Sequence, residues 1–245
     1  MQKEKHTEKY IEIEALWKEG KGRKFIMDKF NISSSVLHTI LKRLNLENKS
    51  HRSVNLSSYQ KSVLIGTILG DTHILKGSKF TSSLNFAHCE AQKEYFDKKI
   101  EILKSLGISY NKEHNYFDKR TNKIYKRYTA TTHSCIELKE LRYIFYRNNK
   151  KFLPIEYLYN NFDNISLAYL YMDDGNTSKY NTTISTQSFE REELTKFCEI
   201  LKKKFNLEFY VQKNLTIRLR QKDIAKFKNL IRSEVSKFPC MTYKL

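Results

Sequence analysis

The chain has 245 residues and a formal net charge of +18, from 45 lysines and arginines against 27 aspartates and glutamates. With 40% hydrophobic and 13% aromatic residues, it has enough apolar material for a buried core, which excludes an intrinsically disordered chain. The excess of positive charge is +5 over residues 1–52, +7 over 53–165 and +6 over 166–245, so a basic tail is also excluded. A charge of this size favours a polyanionic partner, above all nucleic acid, over a merely basic soluble protein.

Several other classes of protein are excluded by the sequence. No apolar run approaches the roughly 20 residues of a membrane span, and the Lys- and Glu-rich start does not resemble a signal peptide. The four cysteines are far apart and form no C-x-x-C pair, which argues against a zinc site or a disulfide framework. We therefore expect a soluble, intracellular protein without a membrane partner.

Residues 1–50 are predicted to form three helices. The first covers residues 10–18 and ends before Gly20 and Gly22, and the second covers 23–30. Ser33 is expected to cap a third helix, which begins at Ser34. The apolar stripe of this third helix is formed by Val36, Ile40 and Leu44, with Leu37 and Leu41 beside them.

Three helices with a tight turn before the third resemble a helix-turn-helix DNA-binding unit. The exposed face of its recognition helix would carry Ser34, Ser35, His38, Thr39 and Lys42. A small bundle that only packs on the rest of the protein is the alternative. The polar residues 51–57 are the predicted linker.

The rest of the chain contains an internal repeat, over residues 58–160 and 161–245. SVLIGTILGD (62–71) and ISLAYLYMDD (165–174) are both apolar helices that end in aspartate. Alternating strands and amphipathic helices follow each of them in the same order. After the first come a strand at 79–88, a helix at 90–106, paired strands at 109–118 and 124–132, and a helix at 134–147. After the second come a strand at 182–187, a helix at 190–205, paired strands at 207–213 and 215–221, and a helix at 222–235. The predicted fold class is α+β, with two pseudo-symmetric α-β-β-α-β-β-α repeats.

A helix that is apolar on all sides must be buried. We therefore expect the helices at 62–71 and 165–174, called the motif helices below, to pack against each other. Asp71 and Asp174 would then meet at the negative ends of both helices. A divalent cation would relieve this repulsion, and oxygen ligands favour Mg²⁺. An ordinary helix end at a surface turn is the alternative for Asp173-Asp174 alone, but the matching repeats argue against it.

LIGTILGDT (64–72) and LAYLYMDDG (167–175) resemble the two copies of the motif of LAGLIDADG homing endonucleases. The resemblance covers about residues 58–245. The second copy is closer, because the first has Thr72 in place of the final glycine. Both lack the inner aspartate, with Leu69 and Met172 there, but both keep the terminal acid.

The resemblance extends to four further positions. Gln187 is similar to the family's glutamine at a strand end, and His88 takes that place in the first repeat. Lys151 and Lys244 match the segments that carry the active-site lysines, with Lys150 as an alternative to Lys151. Because Lys244 is the penultimate residue, a structural role for it is not expected.

The resemblance implies that the sheets bind DNA. In 215–221 the apolar residues alternate with Thr216, Arg218 and Arg220, which predicts one core face and one cationic face. Arg127 is the corresponding candidate in 124–132, although the pattern leaves open which face of that strand is exposed. A solvated polar face is the alternative in both cases, and arginine suits guanine in the major groove.

The resemblance implies a monomeric, Mg²⁺-dependent endonuclease that cuts both strands of a long double-stranded DNA target, leaves 3′ overhangs and promotes the mobility of an intron or intervening sequence. Asp71 and Asp174 would bind the metal. Two alternatives remain: a maturase that binds intron RNA, and a non-catalytic DNA-binding regulator. The expected location is the cytoplasm of a bacterium or phage host, or an organelle matrix.

Overall fold

The structure, a computed structural model, describes residues 2–19, 21, 23–44, 46, 52–119, 121–178 and 181–245. The chain divides into two compact units, Met1–His51 and Arg52–Leu245. Each unit has its own cluster of buried apolar side chains. In the part of the chain that is described, no helix is long and apolar enough to cross a membrane.

The first unit consists of α1 (Gln2–Lys18), α2 (Arg23–Phe30) and α3 (Ser34–Arg43). As predicted, Ser33 caps α3, because its hydroxyl accepts a hydrogen bond from the backbone amide of Val36. The buried side of α3 is Leu37, Ile40 and Leu41. Val36 was expected in this stripe, but it is 45% exposed because the buried face is centred on Leu37 and Leu41 instead.

The second unit contains two consecutive repeats. The first is α4 (Ser58–Leu69), β1 (His73–Ile74), β2 (Leu84–Cys89), α5 (Lys93–Ile102), β3 (Ile108–Asp118), β4 (Lys123–Thr132) and α6 (Ile136–Phe145). A short hairpin, β5 (Tyr146–Arg147) with β6 (Lys150–Lys151), and α7 (Ile155–Asn161) follow it. The second repeat is α8 (Asn164–Asp174), β7 (Gly175–Ser178), β8 (Asn181–Ile184), α9 (Arg191–Phe205), β9 (Phe209–Val211), β10 (Ile217–Leu219) and α10 (Ile224–Val235).

Each repeat forms an antiparallel sheet, in the order β1-β2-β4-β3 and β7-β8-β10-β9. The α+β fold with two α-β-β-α-β-β-α repeats is thus confirmed. A 3-10 helix, Pro239–Lys244, ends the chain, and its Met241 is fully buried. Neither this helix nor α7 was predicted, because both are too short for an apolar pattern to recur over several turns.

The strands of the second repeat are shorter than predicted. Residues 207–213 and 215–221 were expected to be strands, but β9 and β10 have three residues each. Leu215 has a φ of 63° and lies in the turn between them, where a strand cannot form. Similarly, β2 begins at Leu84 rather than at residue 79.

The described part of the predicted linker is held on the second unit. The Arg52 guanidinium donates hydrogen bonds to the carbonyl oxygens of Ser105, at 2.7 Å, and of Leu106. Leu56 is buried in the core. Residues 52–57 are therefore not a free tether, because this segment is fixed by both hydrogen bonds and apolar burial.

Candidate active site

The two motif helices, α4 and α8, place one acid each at their C-terminal ends. Ser57 and Gln60 form a capping box at the start of α4, and Gly70 closes that helix. Asp71 follows directly. Asp174 is the last residue of α8, which Gly175 closes. Both acids therefore lie where the helix dipole is negative, which disfavours ionised carboxylates.

Close packing of α4 on α8 brings these ends together. A Cβ atom at Gly66 would lie 2.3 Å from the carbonyl oxygen of Ser166, and one at Gly70 would lie 2.6 Å from the Cβ of Asp173. Only glycine fits at either contact. Ser62 and Ser166 add hydrogen bonds across the interface, to the Asp163 carboxylate at 2.6 Å and to the Ser62 carbonyl at 3.0 Å.

The environment raises the pKa of both terminal acids. Although Asp71 is exposed at the surface, desolvation of its carboxyl among the surrounding residues, with the negative charge of Asp173, raises its pKa to about 6. Burial, with the charges of Asp71 and Asp173, raises the pKa of Asp174 to about 7. The site therefore resists the ionisation of both acids unless positive charge is supplied.

A lysine lies at the end of each motif helix. The Lys151 ammonium donates to the carbonyl oxygen of Gly70 at 2.8 Å, and the Lys244 ammonium donates to those of Tyr171, at 3.2 Å, and Met172. Burial lowers the pKa of each lysine, while the nearby aspartates oppose this shift. Positive charge at a helix C-terminus is favourable, so the lysines also stabilise the helix ends.

The position of Lys244 corrects one expectation. Lys244 is only 5% exposed, because the C-terminal 3-10 helix packs on the core instead of fraying. Lys244 thus has a structural role as well, in capping α8. Lys150, the alternative to Lys151, lies on the surface and pairs with Glu190 at 2.9 Å.

The two strand-end candidates differ in their surroundings. Gln187 is exposed. His88 is buried, with Nδ1 3.1 Å from Gln92 Oε1 and Nε2 3.1 Å from Lys99 Nζ. Burial and the neighbouring Lys99 charge lower the pKa of His88 to about 4. His88 is therefore a neutral imidazole whose two nitrogens are both engaged.

Sequence reasoning missed a buried ion pair beside Asp71. The side chains of Lys99 and Asp173 are both fully buried and lie 2.9 Å apart, and Tyr95 donates to Asp173 at 2.8 Å. One feature of the sequence could have predicted this ion pair. Lys99 continues the buried face of α5 that Tyr95 and Phe96 begin, and a lysine in an apolar stripe requires a partner.

The acids fit a divalent cation through their oxygen ligands. Asp71 and Asp174 supply hard carboxylate donors. Their raised pKa values reflect burial first and the charge of neighbouring aspartates second, and a bound cation would offset both. Among the described residues, Asp71, His88 and Asp173 form another group with ligand atoms within 4.8 Å. That group does not fit an ion, because the Lys99 ammonium already binds His88 and Asp173.

The predicted DNA-binding residues of the sheets are not equally accessible. Arg220 is exposed, with its guanidinium 4.8 Å from the centre of the Tyr210 ring, and Arg218 is half-buried. Thr216, expected on the exposed face, is 8% exposed, since it lies in the turn and hydrogen-bonds Gln212 and Asn214. Its contact with DNA remains a prediction that this burial disfavours.

In the first repeat, the structure settles which face of β4 is exposed. The core face consists of Tyr128, Ala130 and Thr132, all buried. Arg127 lies on the opposite face, exposed and 5.4 Å from the centre of the Tyr116 ring. On α3 of the first unit, all five predicted residues are exposed: Ser34, Ser35, His38, Thr39 and Lys42.

Comparison with known proteins identifies relatives across most of the chain. A family model described as the LAGLIDADG DNA endonuclease family matches residues 61–227. Probable intron-encoded endonuclease 1 of Wickerhamomyces canadensis is 30% identical over 203 residues, which cover 78% of this chain and 85% of that protein. DNA endonuclease I-ChuI of Chlamydomonas applanata is 29% identical over 168 residues, covering 63% of this chain and 77% of that one.

A solved structure also resembles this chain. It is the homing endonuclease I-WcaI bound to its DNA recognition sequence, with 27% sequence identity and a TM-score of 0.69. The match covers 82% of this chain and 96% of I-WcaI. The resemblance that the two motifs predicted is thus confirmed.

Proposed function

This chain belongs to the LAGLIDADG DNA endonuclease family, and we propose that it is a homing endonuclease that cuts both strands of one long DNA site. One observation carries the proposal. Two pseudo-symmetric helix ends meet, and each holds an aspartate of raised pKa beside a lysine of lowered pKa. Two such sets match the two strands of a duplex, and one chain supplies both, so the active species is a monomer.

The chemistry of phosphodiester hydrolysis assigns a role to each group. Asp71 and Asp174 would hold Mg²⁺, which supplies an activated water and neutralises charge on the phosphate. The positive charges of Lys151 and Lys244 interact favourably with the negative charges of the same two acids. Because burial lowers their pKa, Lys151 and Lys244 can exchange a proton nearer to neutral pH than an exposed lysine, and their protonated forms stabilise negative charge.

Gln187 and His88 are proposed to act differently in the two halves. Gln187 is exposed and can contact bound DNA or water directly. His88 is engaged on both ring nitrogens, so its contribution is to maintain the packing beside Asp71. A role for His88 as a proton acceptor is disfavoured, because Lys99 occupies its free lone pair.

DNA binding is proposed to use three surfaces. Arg127 and, in the second repeat, Arg218 and Arg220 supply cationic groups on the sheets, where arginine can bind phosphate or guanine. The exposed face of α3, with Ser34, Ser35, His38, Thr39 and Lys42, is the third surface. I-WcaI, which is similar over most of its length, is bound to its DNA recognition sequence.

The alternatives are less well supported. A maturase assisting intron RNA, or a non-catalytic regulator, does not require two acids and two lysines at matching helix ends, yet all four are kept. Relatives named as endonucleases of intron origin also favour cleavage and the mobility of an intron.

The test uses duplex DNA that spans the junction at which the intervening sequence encoding this chain would insert. We expect double-strand cleavage with Mg²⁺, no cleavage with a chelator, and 3′ overhangs when the product ends are mapped. The matched control is the Asp71→Asn, Asp174→Asn double variant. Wild-type protein that binds this DNA without cutting it, or that accelerates splicing of the precursor RNA instead, would contradict the proposal.

A further inference from the structure

Asp173 is a buried acid of the second motif that the proposed chemistry does not use. It directly precedes Asp174, but its carboxylate contacts the first repeat. It accepts hydrogen bonds from Tyr95 at 2.8 Å and from Lys99 at 2.9 and 3.3 Å, both on α5. The second motif helix thus supplies an acid to the opposite half of the molecule.

This contact has no counterpart in the other direction. The residue that precedes Asp71 in the first motif is Gly70, which has no side chain to reach the second repeat, and a Cβ there would lie 2.6 Å from the Cβ of Asp173. The helix that corresponds to α5 is α9, which is described in full. Its buried residues are all uncharged: Leu194, Phe197, Cys198, Ile200 and Leu201.

Lys99 extends the contact to the neighbourhood of Asp71. Its ammonium can only donate, so His88 Nε2 accepts and the ring proton lies on Nδ1, facing Gln92 Oε1 at 3.1 Å. Ligand atoms of Asp71, His88 and Asp173 lie within 4.8 Å of one another. Lys99 therefore fixes both groups that flank Asp71.

A buried ion pair of this kind is not explained by stability alone. Desolvation of two charges offsets most of their attraction, and an apolar pair of similar volume is often as stable. A fully hydrogen-bonded network does, however, hold its members in one arrangement. Removal of a hydrogen-bond partner that orients a functional group typically lowers the activity about 10–100-fold.

We propose that Lys99 and Asp173 are a positioning pair that acts chiefly on the Asp71 half of the active centre, so that the two DNA strands are cut by unequally built halves. The proposal rests on the proposed function. It predicts that loss of the pair slows the cutting of one strand selectively, whereas a general loss of stability would slow both.

The experiment follows the cutting of each strand separately, with saturating protein and each strand carrying its own label. The strand that Asp71→Asn slows more identifies the Asp71 half, with Asp174→Asn as the reciprocal standard. The test variant is Lys99→Met, Asp173→Asn, which removes both buried charges together. Tyr95→Phe is a milder second variant that keeps the ring, and Lys98→Met, at an exposed neighbour on α5, is the matched control.

In the double variant, we expect the Asp71 strand to be cut about tenfold more slowly relative to the other strand. Tyr95→Phe should shift the same ratio by a smaller factor, and Lys98→Met should leave it unchanged. Nitrogen-15 shifts of the His88 ring provide a readout independent of cleavage. They should report the Nδ1–H tautomer in the wild type and a changed Nε2 signal in the double variant, where Nε2 has lost the Lys99 donor.

Equal slowing of both strands, or an unchanged strand ratio in both the double variant and Tyr95→Phe, would overturn the positioning pair while leaving the proposed function intact. An unaltered His88 Nε2 signal in the double variant would also contradict it. A wild-type protein that cuts no DNA would overturn the proposed function and this inference together.

Discussion

The ammonium group of Lys151 donates a 2.8 Å hydrogen bond to the carbonyl oxygen of Gly70, the residue that closes the first motif helix. This contact distinguishes Lys151 from the adjacent Lys150, whose side chain lies on the surface. Lys151→Met should slow DNA cleavage about 100-fold, because the variant has no buried amine beside the acids. Lys150→Met is the matched control, and its cleavage rate should stay close to that of the wild type. A larger effect at Lys150 would transfer the role to that residue.

Lys244→Met should slow cleavage and also lower the melting temperature. Two carbonyl oxygens at the end of α8 would lose their buried donor, which costs about 1–3 kcal/mol. Cleavage rates and thermal unfolding of the same preparation measure both effects. Tyr243→Phe, at an exposed neighbour and with the ring that the Lys244 ammonium faces retained, is the control. A variant that lost stability but cut at the wild-type rate would limit Lys244 to its structural role.

Asp174→Asn should abolish double-strand cleavage yet leave DNA affinity within about tenfold, because phosphate contacts dominate binding. Cleavage gels and gel-shift titrations measure the two quantities. Nicking of one strand is the expected residual activity, since Asp71 remains. Wild-type double-strand cutting by the Asp71→Asn, Asp174→Asn variant would contradict the assignment of both acids.

The raised pKa of Asp174 predicts a pH-dependent difference in stability. Its pKa is about 7 in the folded protein, above the usual 3.8, so the folded state binds more protons between these values. The contribution of Asp174 to stability is therefore fully present below about pH 4 and is lost as pH rises through about 7. With a chelator present, the melting temperature of Asp174→Asn should rise relative to the wild type over this range.

Added Mg²⁺ should reduce that difference, because the cation binds the ionised carboxylates of the wild type. Thermal unfolding at several pH values, with and without Mg²⁺, measures both effects. A difference in melting temperature that is constant with pH would show that Asp174 titrates as an ordinary carboxyl.

Gly66→Ala tests the contact between the motif helices. The added Cβ would lie 2.3 Å from the backbone oxygen of Ser166, which cannot rotate away. The helices must separate, and we expect a loss of about 1–3 kcal/mol in the free energy of unfolding. Chemical denaturation measures it. Ser58→Ala, at an exposed position in the first turn of α4, is the control, and equal stability of the two variants would contradict the packing.

A chain that begins at Arg52 tests whether the first unit contacts DNA. Arg52 must be kept, because it is hydrogen-bonded to the second unit. We expect cleavage of the core site to persist and the footprint to shorten at one end. The slope of log Kd against log salt should fall by about 0.9 for each DNA phosphate that the shortened chain no longer binds. An unchanged footprint and salt slope would show that α3 does not face DNA.

The repeat, the motif helices and their terminal acids follow from the sequence alone. Apolar residues on every side of 63–69 and 167–172 require burial, and the aspartates at matching positions then have to meet. The cap at Ser33 and the α-β-β-α-β-β-α order also follow from local patterns. These features depend on periodicity and on neighbours in the chain, which a sequence displays directly.

The direction in which individual side chains face depends on tertiary packing. Asp173 and Asp174 are adjacent acids, yet Asp173 packs closely against Gly70 and its carboxylate binds Lys99 in the other repeat. Similarly, the pattern of β4 allows either face to be buried until Phe96 of α5 packs on Tyr128, and Lys244 is buried where it donates to the carbonyl oxygens of Tyr171 and Met172. Each outcome depends on a residue far away in the sequence, so no local pattern contains it.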